Sequence, residues 1–244
     1  MRVVSACFVL VMLVSFALAQ KQQKPWTEWT KKDVDKTLND SAWGQTQTEG
    51  NDDQSSSNTA AVTQVAAPRS ADRQIQRTGE SGEAKPSNIV KYYVRFLSAK
   101  PVRAAFARKV LLAKNEPDPE LTSQLQAFID RDFKDYIVVS VGIEVQEQRM
   151  AAPLMRVFIG ATTADLQKNV YLERKDGKKL YLMEYRPPVE DGMGAKFVFP
   201  RMFEGQPFLT ENDSVRFVAQ VNEKMKLNTR YKVSEMMYDG KLEY

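Results

Sequence analysis

Histidine is absent from the 244 residues, and cysteine occurs once, at Cys7. These two shortages remove whole classes of chemistry. A Ser–His–Asp triad, a Cys–His pair, a haem axial ligand and a His/Cys zinc site all need side chains that this chain lacks. No serine is followed three residues later by lysine, and neither a phosphate-cradling Gly-x-x-x-x-Gly-Lys loop nor an EF-hand loop occurs. Gly192–Met193–Gly194 lacks the third glycine and the strand–helix setting of a dinucleotide loop, so it reads as a turn. No cofactor and no metal site is expected.

An excess of charge of one sign is missing too. The chain has 35 basic and 31 acidic residues, a formal net charge of +4, and the signs are mixed along most of its length. Nucleic-acid binders show a denser basic stripe interleaved with aromatics, so no nucleic-acid partner is expected.

Long apolar runs are confined to the N-terminus. Arg2 precedes Val3 to Leu18, which only Ser5 and Ser15 interrupt, and Ala17–Leu18–Ala19 supplies a small-x-small cleavage pattern. The run is short for a membrane span, which needs about 20 apolar residues. Residues 1–19 therefore read as a cleaved signal peptide. The mature chain is expected to be exported, periplasmic or extracellular, without a transmembrane span. Cys7 lies before the apolar run, not after it, so it is no lipoprotein anchor, and cleavage leaves a mature chain that cannot form a disulfide.

What is present divides the mature chain in three. Residues 20–45 hold all three tryptophans, Trp26, Trp29 and Trp43. Thr30 and Asp33 make a capping box with Trp29 and Val34 at staple spacing, predicting a short helix over 31–40. A helix this short is marginal alone in water. Its tryptophans need a surface, either on the chain's own core or on a partner. Residues 46–86 are polar and punctuated by Pro68, Gly79, Gly82 and Pro86, the composition of a disordered linker. A linker of about 40 residues reaches roughly 35 Å, enough for the Trp segment to act as a tethered docking element. Deleting residues 20–86 is then expected to leave a folded domain.

Residues 87–244 read as a β-rich globular domain. Tyr136 to Val145 carries Ile137, Val139, Val141, Ile143 and Val145 on alternate positions, a strong strand signal. Further strands are expected at Ile89–Leu97, Val170–Arg174, Leu180–Tyr185, Ala195–Phe199, Val215–Val221, Asn228–Ser234 and Lys241–Tyr244. Asp176–Gly177 between two of them suggests a type I′ hairpin turn. Pro101 and Asp118–Pro119–Glu120 open helices near 101–113 and 118–134. Helical spacing of Leu154, Val157, Phe158 and Ala161 favours one more helix, with strand as the alternative. The fold expected is α+β, mainly β: an antiparallel β-sandwich, Ig-like, or an open barrel of about eight strands, with two helices inserted between the first two strands.

For chemistry, the densest acids are Asp130, Asp132 and Asp135, and Glu116, Asp118 and Glu120. An acid and a base carboxylate about 5–9 Å apart suit glycosidic hydrolysis, but acids at a helix start also have a structural use. Lys100, Arg103, Arg108, Lys109 and Lys114 make the first helix basic, a solvated outer face or an anion-facing one. Met202, Phe203 and Phe208 on proline-bounded loops are candidates for an exposed partner patch, alongside Trp26, Trp29 and Trp43.

Lys24–Pro25–Trp26 through Trp43–Gly44, Tyr92 to Phe106 and Tyr171 to Tyr185 resemble segments of uncharacterised exported bacterial proteins. That resemblance implies a bacterial, exported setting and carries no activity or site residue. The readings left open are a non-enzymatic envelope module that binds an envelope protein or cell-surface component, a carboxylate-type hydrolase of cell-wall or polysaccharide substrates, and a module that binds a small apolar or lipid ligand.

Overall fold

The computed structural model describes residues 24–50, 89–114 and 118–244. The expected leader and residues 51–86 of the expected linker lie outside the described residues. A 3₁₀ turn at Trp26–Glu28 leads into α1 (Lys31–Asn39) and β1 (Gly44–Glu49). Then come β2 (Val90–Phe96), α2 (Lys100–Leu112), α3 (Pro119–Ile129), β3 (Tyr136–Val145), α4 (Gln148–Gly160) and α5 (Thr163–Leu166). The remainder is β4 (Val170–Arg174), β5 (Lys179–Tyr181), β6 (Glu184–Arg186), β7 (Ala195–Pro200), β8 (Met202–Phe203), β9 (Gln206–Pro207), β10 (Ser214–Gln220), β11 (Lys226–Lys232), β12 (Met237–Tyr238) and β13 (Lys241–Leu242).

Two antiparallel sheets carry the architecture. The larger runs β1-β2-β3-β7-β6 and the smaller β11-β10-β4-β5. Alternation decides which side chains meet between them. Tyr92, Val94 and Phe96 of β2, Ile137, Val139 and Val141 of β3, and Phe197 and Phe199 of β7 are buried on one face of the larger sheet. Phe217 and Tyr231 answer from the smaller sheet. Phe197 and Phe199 lie 5.4 and 6.3 Å from the Phe217 ring, and Phe96 lies 4.9 Å from Tyr231, all edge-on. The Tyr231 hydroxyl donates to the Val94 carbonyl across the same interface. Rings thus fill the space between these strands. The fold is α+β with two facing antiparallel sheets, and the two helices α2 and α3 lie between β2 and β3 as expected.

The outer face of the larger sheet is half covered. Arg95, on that face of β2, donates through Nε to the Leu38 carbonyl and through Nη2 to Asn39 Oδ1, so it holds the C-terminal end of α1. Its guanidinium also lies over the rings of Tyr93 and of Phe106 in α2. Arg103 does the same for α3, donating to the carbonyls of Ile129 at 2.9 Å and Arg131 at 3.3 Å, and also to Ser98. Cations suit helix C-termini, where carbonyls are left unpaired. Burial pushes both guanidinium groups down to about 10. Each stays charged at neutral pH and is satisfied by carbonyls and side-chain amide oxygen, not by a carboxylate.

Several expectations need correction. The segment read as the start of the linker is in part a strand: Gly44–Glu49 pairs antiparallel with β2 from Gly44↔Arg95 to Glu49↔Val90. Its residues are Gly-Gln-Thr-Gln-Thr-Glu, with no apolar alternation to announce a strand. The expected strand Leu180–Tyr185 is two strands, because the chain crosses between sheets at Leu182 and Met183, whose amides donate to Val170 and Val198. The hairpin at Asp176–Gly177 has a positive φ only at Gly177, so it is a type I turn closed by a left-handed glycine, not a type I′ turn. By contrast, the helix favoured for the Leu154–Ala161 segment is present: Leu154, Val157 and Phe158 lie in α4, and Ala161 is its C-cap. Among the described residues, no helix is long and apolar enough to cross a membrane.

Candidate functional site

The tryptophans are committed to this chain. Trp29 is buried at 9 % exposure together with Val34 and Leu38 of α1, while Trp26 and Trp43 are half-buried against the same core. Each indole N–H already has an acceptor: Trp26 on Gln126 Oε1 at 2.7 Å, Trp29 on the Lys24 carbonyl at 2.9 Å, Trp43 on the Glu243 carbonyl at 2.7 Å. The Thr30–Asp33 capping box that starts α1 is present in both directions. The surface these tryptophans needed is their own fold. Phe208 is fully buried, which removes it as a partner contact. Phe203 is half-buried, its ring 5.9 Å from Phe208, and of the three candidates on that loop Met202 is the exposed one. The structure therefore does not gather the six residues into one surface.

Three of the acids singled out by the sequence have structural partners. Asp118 is the N-cap of α3, accepting from the amides of Glu120 and Leu121. Asp130 pairs with Lys100 at 2.8 Å, and Lys100 together with Gln126 holds its carboxyl below the usual range. The Lys134 amide does the same for Asp132. Glu116 lies outside the described residues. Among the described acids whose proton affinity is displaced, only Glu49 is raised, by burial at the end of β1. Among the described residues, no three His, Cys, Asp or Glu side chains are grouped to hold a metal. The basic helix is largely spent in structure as well: Arg103 is buried, Arg108 donates to the Trp29 carbonyl at 2.7 Å, and Lys100 is paired.

What remains open is a groove. In α3 only Ile129 is fully buried, while Leu121, Leu125 and Phe128 are half-buried. Two adjoining hollows of about 390 Å³ each lie along it and share Phe128, Asp191 and Met193. One is walled by Phe106 and Val110 of α2 and Leu125 of α3. The other has Val138 of β3 and Val198 of β7 as its floor, with Phe133, Tyr136 and Met183 at its sides. Val138 and Val198 are partners in register on the outer face of the larger sheet, and both are buried.

The loop before β7 supplies the methionine. Asp191 accepts the Met193 amide at 2.9 Å and takes Lys196 Nζ at 2.6 Å. Gly194 has φ +86°, and a Cβ there would sit 2.2 Å from the Val141 carbonyl oxygen. Only glycine permits that approach. The Gly-Met-Gly stretch is thus a rigid support that sets Met193 over the groove. Sequence reading passed over Met193, Met183 and Val198; the one visible signal was a methionine between two glycines. Charges at the rim are mixed, with Glu184 and Arg186 paired at 2.8 Å and Glu184 held low by that guanidinium. The lining thus combines apolar side chains and two methionines with a charged rim of Arg131, Asp132, Glu184, Arg186, Asp191 and Lys196.

Compared with protein-family models, curated proteins and solved structures, the chain has no match in any of the three.

Proposed function

We propose that the protein is a non-catalytic binding module of the bacterial envelope, exported by the leader at residues 1–19, whose groove takes an apolar segment of an envelope protein. The observation that supports this is the hollow whose lining includes Val138 and Val198, both buried, and half-buried Phe128 and Met193. Exposed Tyr136 and Met183 border it, at 45 % and 44 % exposure. Contiguous apolar surface of this kind on a folded chain marks an interaction site. The hydrolase reading lacks a pair of raised acids, and an interior lipid site lacks room between the ring-filled sheets.

Photo-crosslinking tests it. A benzophenone side chain placed at Met193 or Met183 in cells is expected to trap one envelope protein in a defined adduct. The same probe at Ile159, an exposed residue of α4, is expected to give none. Met193→Asp should abolish the Met183 adduct with an unchanged melting curve. Equal adducts from Ile159, or none from either methionine, would remove the groove as the binding site.

A further inference from the structure

The smaller sheet turns its other face to solvent, and that face has a pattern the linear sequence hides. On β11 every second residue points outward and is polar: Lys226, Asn228, Arg230 and Lys232 are exposed while Leu227, Thr229 and Tyr231 are buried. Register carries the pattern across the sheet. Arg230 stands opposite Arg216, Arg216 opposite Glu173, and Glu173 opposite Lys179. The neighbouring row runs Asn228, Val218, Tyr171, Tyr181. Two tyrosines therefore lie side by side, centroids 5.7 Å apart, next to a row of cations with a single carboxylate in it. Glu173 is already engaged by Arg216, with Nε 2.9 Å from its Oε2. Lys179 lies 4.3 Å above the Tyr171 ring. Arg230 and Lys226 are left facing solvent.

We infer that this sheet face binds an anionic polysaccharide, its sugar rings packed on Tyr171 and Tyr181 and its acidic groups paired with Arg230 and Lys226. Guanidinium groups bind carboxylate and sulfate in bidentate fashion, and exposed aromatic faces take the C–H faces of sugars. Two features favour a polysaccharide over a single-stranded nucleic acid. The tyrosine rings are tilted by 58°, so they do not form one flat floor for successive stacked bases. The second is the export proposed above, on which this choice rests: it would bring the chain to the acidic polysaccharides of a cell surface. Tyr181 lies two residues from Met183 of the groove, but Arg230 and Lys226 of β11 take no part in the groove's lining, so their variants test this face separately.

The test is titration of the intact protein with a fluorescent heparin oligosaccharide and, in parallel, polygalacturonate, uncharged dextran and a single-stranded oligonucleotide. Both acidic polysaccharides are expected to bind, more weakly as salt rises, and dextran is not. Lys226→Glu combined with Arg230→Glu should weaken binding by about tenfold or more. Tyr181→Ala removes no charge, yet should weaken binding about fivefold at unchanged salt dependence. Lys109→Glu, on α2 at the opposite side of the molecule, should change nothing. The proposal is overturned if the wild type binds neither acidic polysaccharide, if Tyr181→Ala binds as the wild type does, or if Lys109→Glu weakens binding as much as the pair. It is equally overturned if the oligonucleotide binds more tightly than both polysaccharides, which would make the face a nucleic-acid surface. Unaltered melting curves keep a loss of binding from being a loss of fold.

Discussion

Two arginines do what ion pairs are usually asked to do. Arg103 sends its guanidinium into the carbonyl ends around α3 and lies 4.7 Å from the Phe133 ring. Replacing it by methionine keeps much of the apolar stem but leaves buried carbonyls without a donor. Arg103→Met is expected to cost about 3 kcal/mol, read as a lower urea midpoint with an unchanged slope. Arg103→Lys should recover only part of that loss, because one ammonium cannot reach carbonyls on different elements. Gly44 works by absence instead. A Cβ there would lie 2.3 Å from the Leu38 carbonyl oxygen, which is backbone and cannot rotate away. Gly44→Ala should destabilise by about 2 kcal/mol, with the loss of protection by hydrogen exchange concentrated in α1 and β1.

Elements, unlike these contacts, were largely readable. β3 could be read because Ile137, Val139 and Val141 alternate onto a buried face, and α1 and α3 because Thr30, Asp33 and Asp118 cap them as written. β1 was illegible because its affinity for the sheet comes from backbone pairing and from Gly44, not from apolar side chains. The groove was illegible for a different reason: Phe106, Leu125, Phe128, Val138, Met183, Met193 and Val198 are far apart in sequence, and only the tertiary fold brings them together. The placement of α1 and β1 argues against the expectation that the domain stands without its N-terminal segment. Removing residues 20–86 takes away an edge strand, the Trp29–Val34–Leu38 part of the core and the acceptors of Arg95. The truncated chain should lose its cooperative melt. Tryptophan emission of the intact chain should be blue-shifted and poorly quenched by iodide, since every indole N–H is engaged within the fold.

Taken as a whole, the molecule is stabilised by carboxylates that bind protons weakly. Asp176 is held down to about 2 by the Arg174 guanidinium, and Asp130, Asp132, Glu144 and Glu184 are all lowered by hydrogen-bond donors. Their contribution is complete above the ordinary carboxylate range and disappears as pH falls through the lowered values. Glu49 works in the opposite sense: burial raises it, so it favours the fold at low pH and costs stability once it ionises. Five groups outweigh one, and the melting temperature should fall on acidification from about 4 to about 2; a melting temperature that is flat or rising in that window would contradict the ion-pair assignments. One side chain bears on the behaviour of many copies at once. Gln47, on β1, donates to the Lys226 carbonyl at 2.8 Å and accepts from the Asn228 amide at 2.8 Å, so its carboxamide stands in for a peptide unit where the two sheets meet. It seals a seam that would otherwise offer free donors and acceptors to a neighbour's strand. In a Gln47→Ala protein that seam is unplugged, and crowded solutions of it should assemble end to end where the parent stays dispersed.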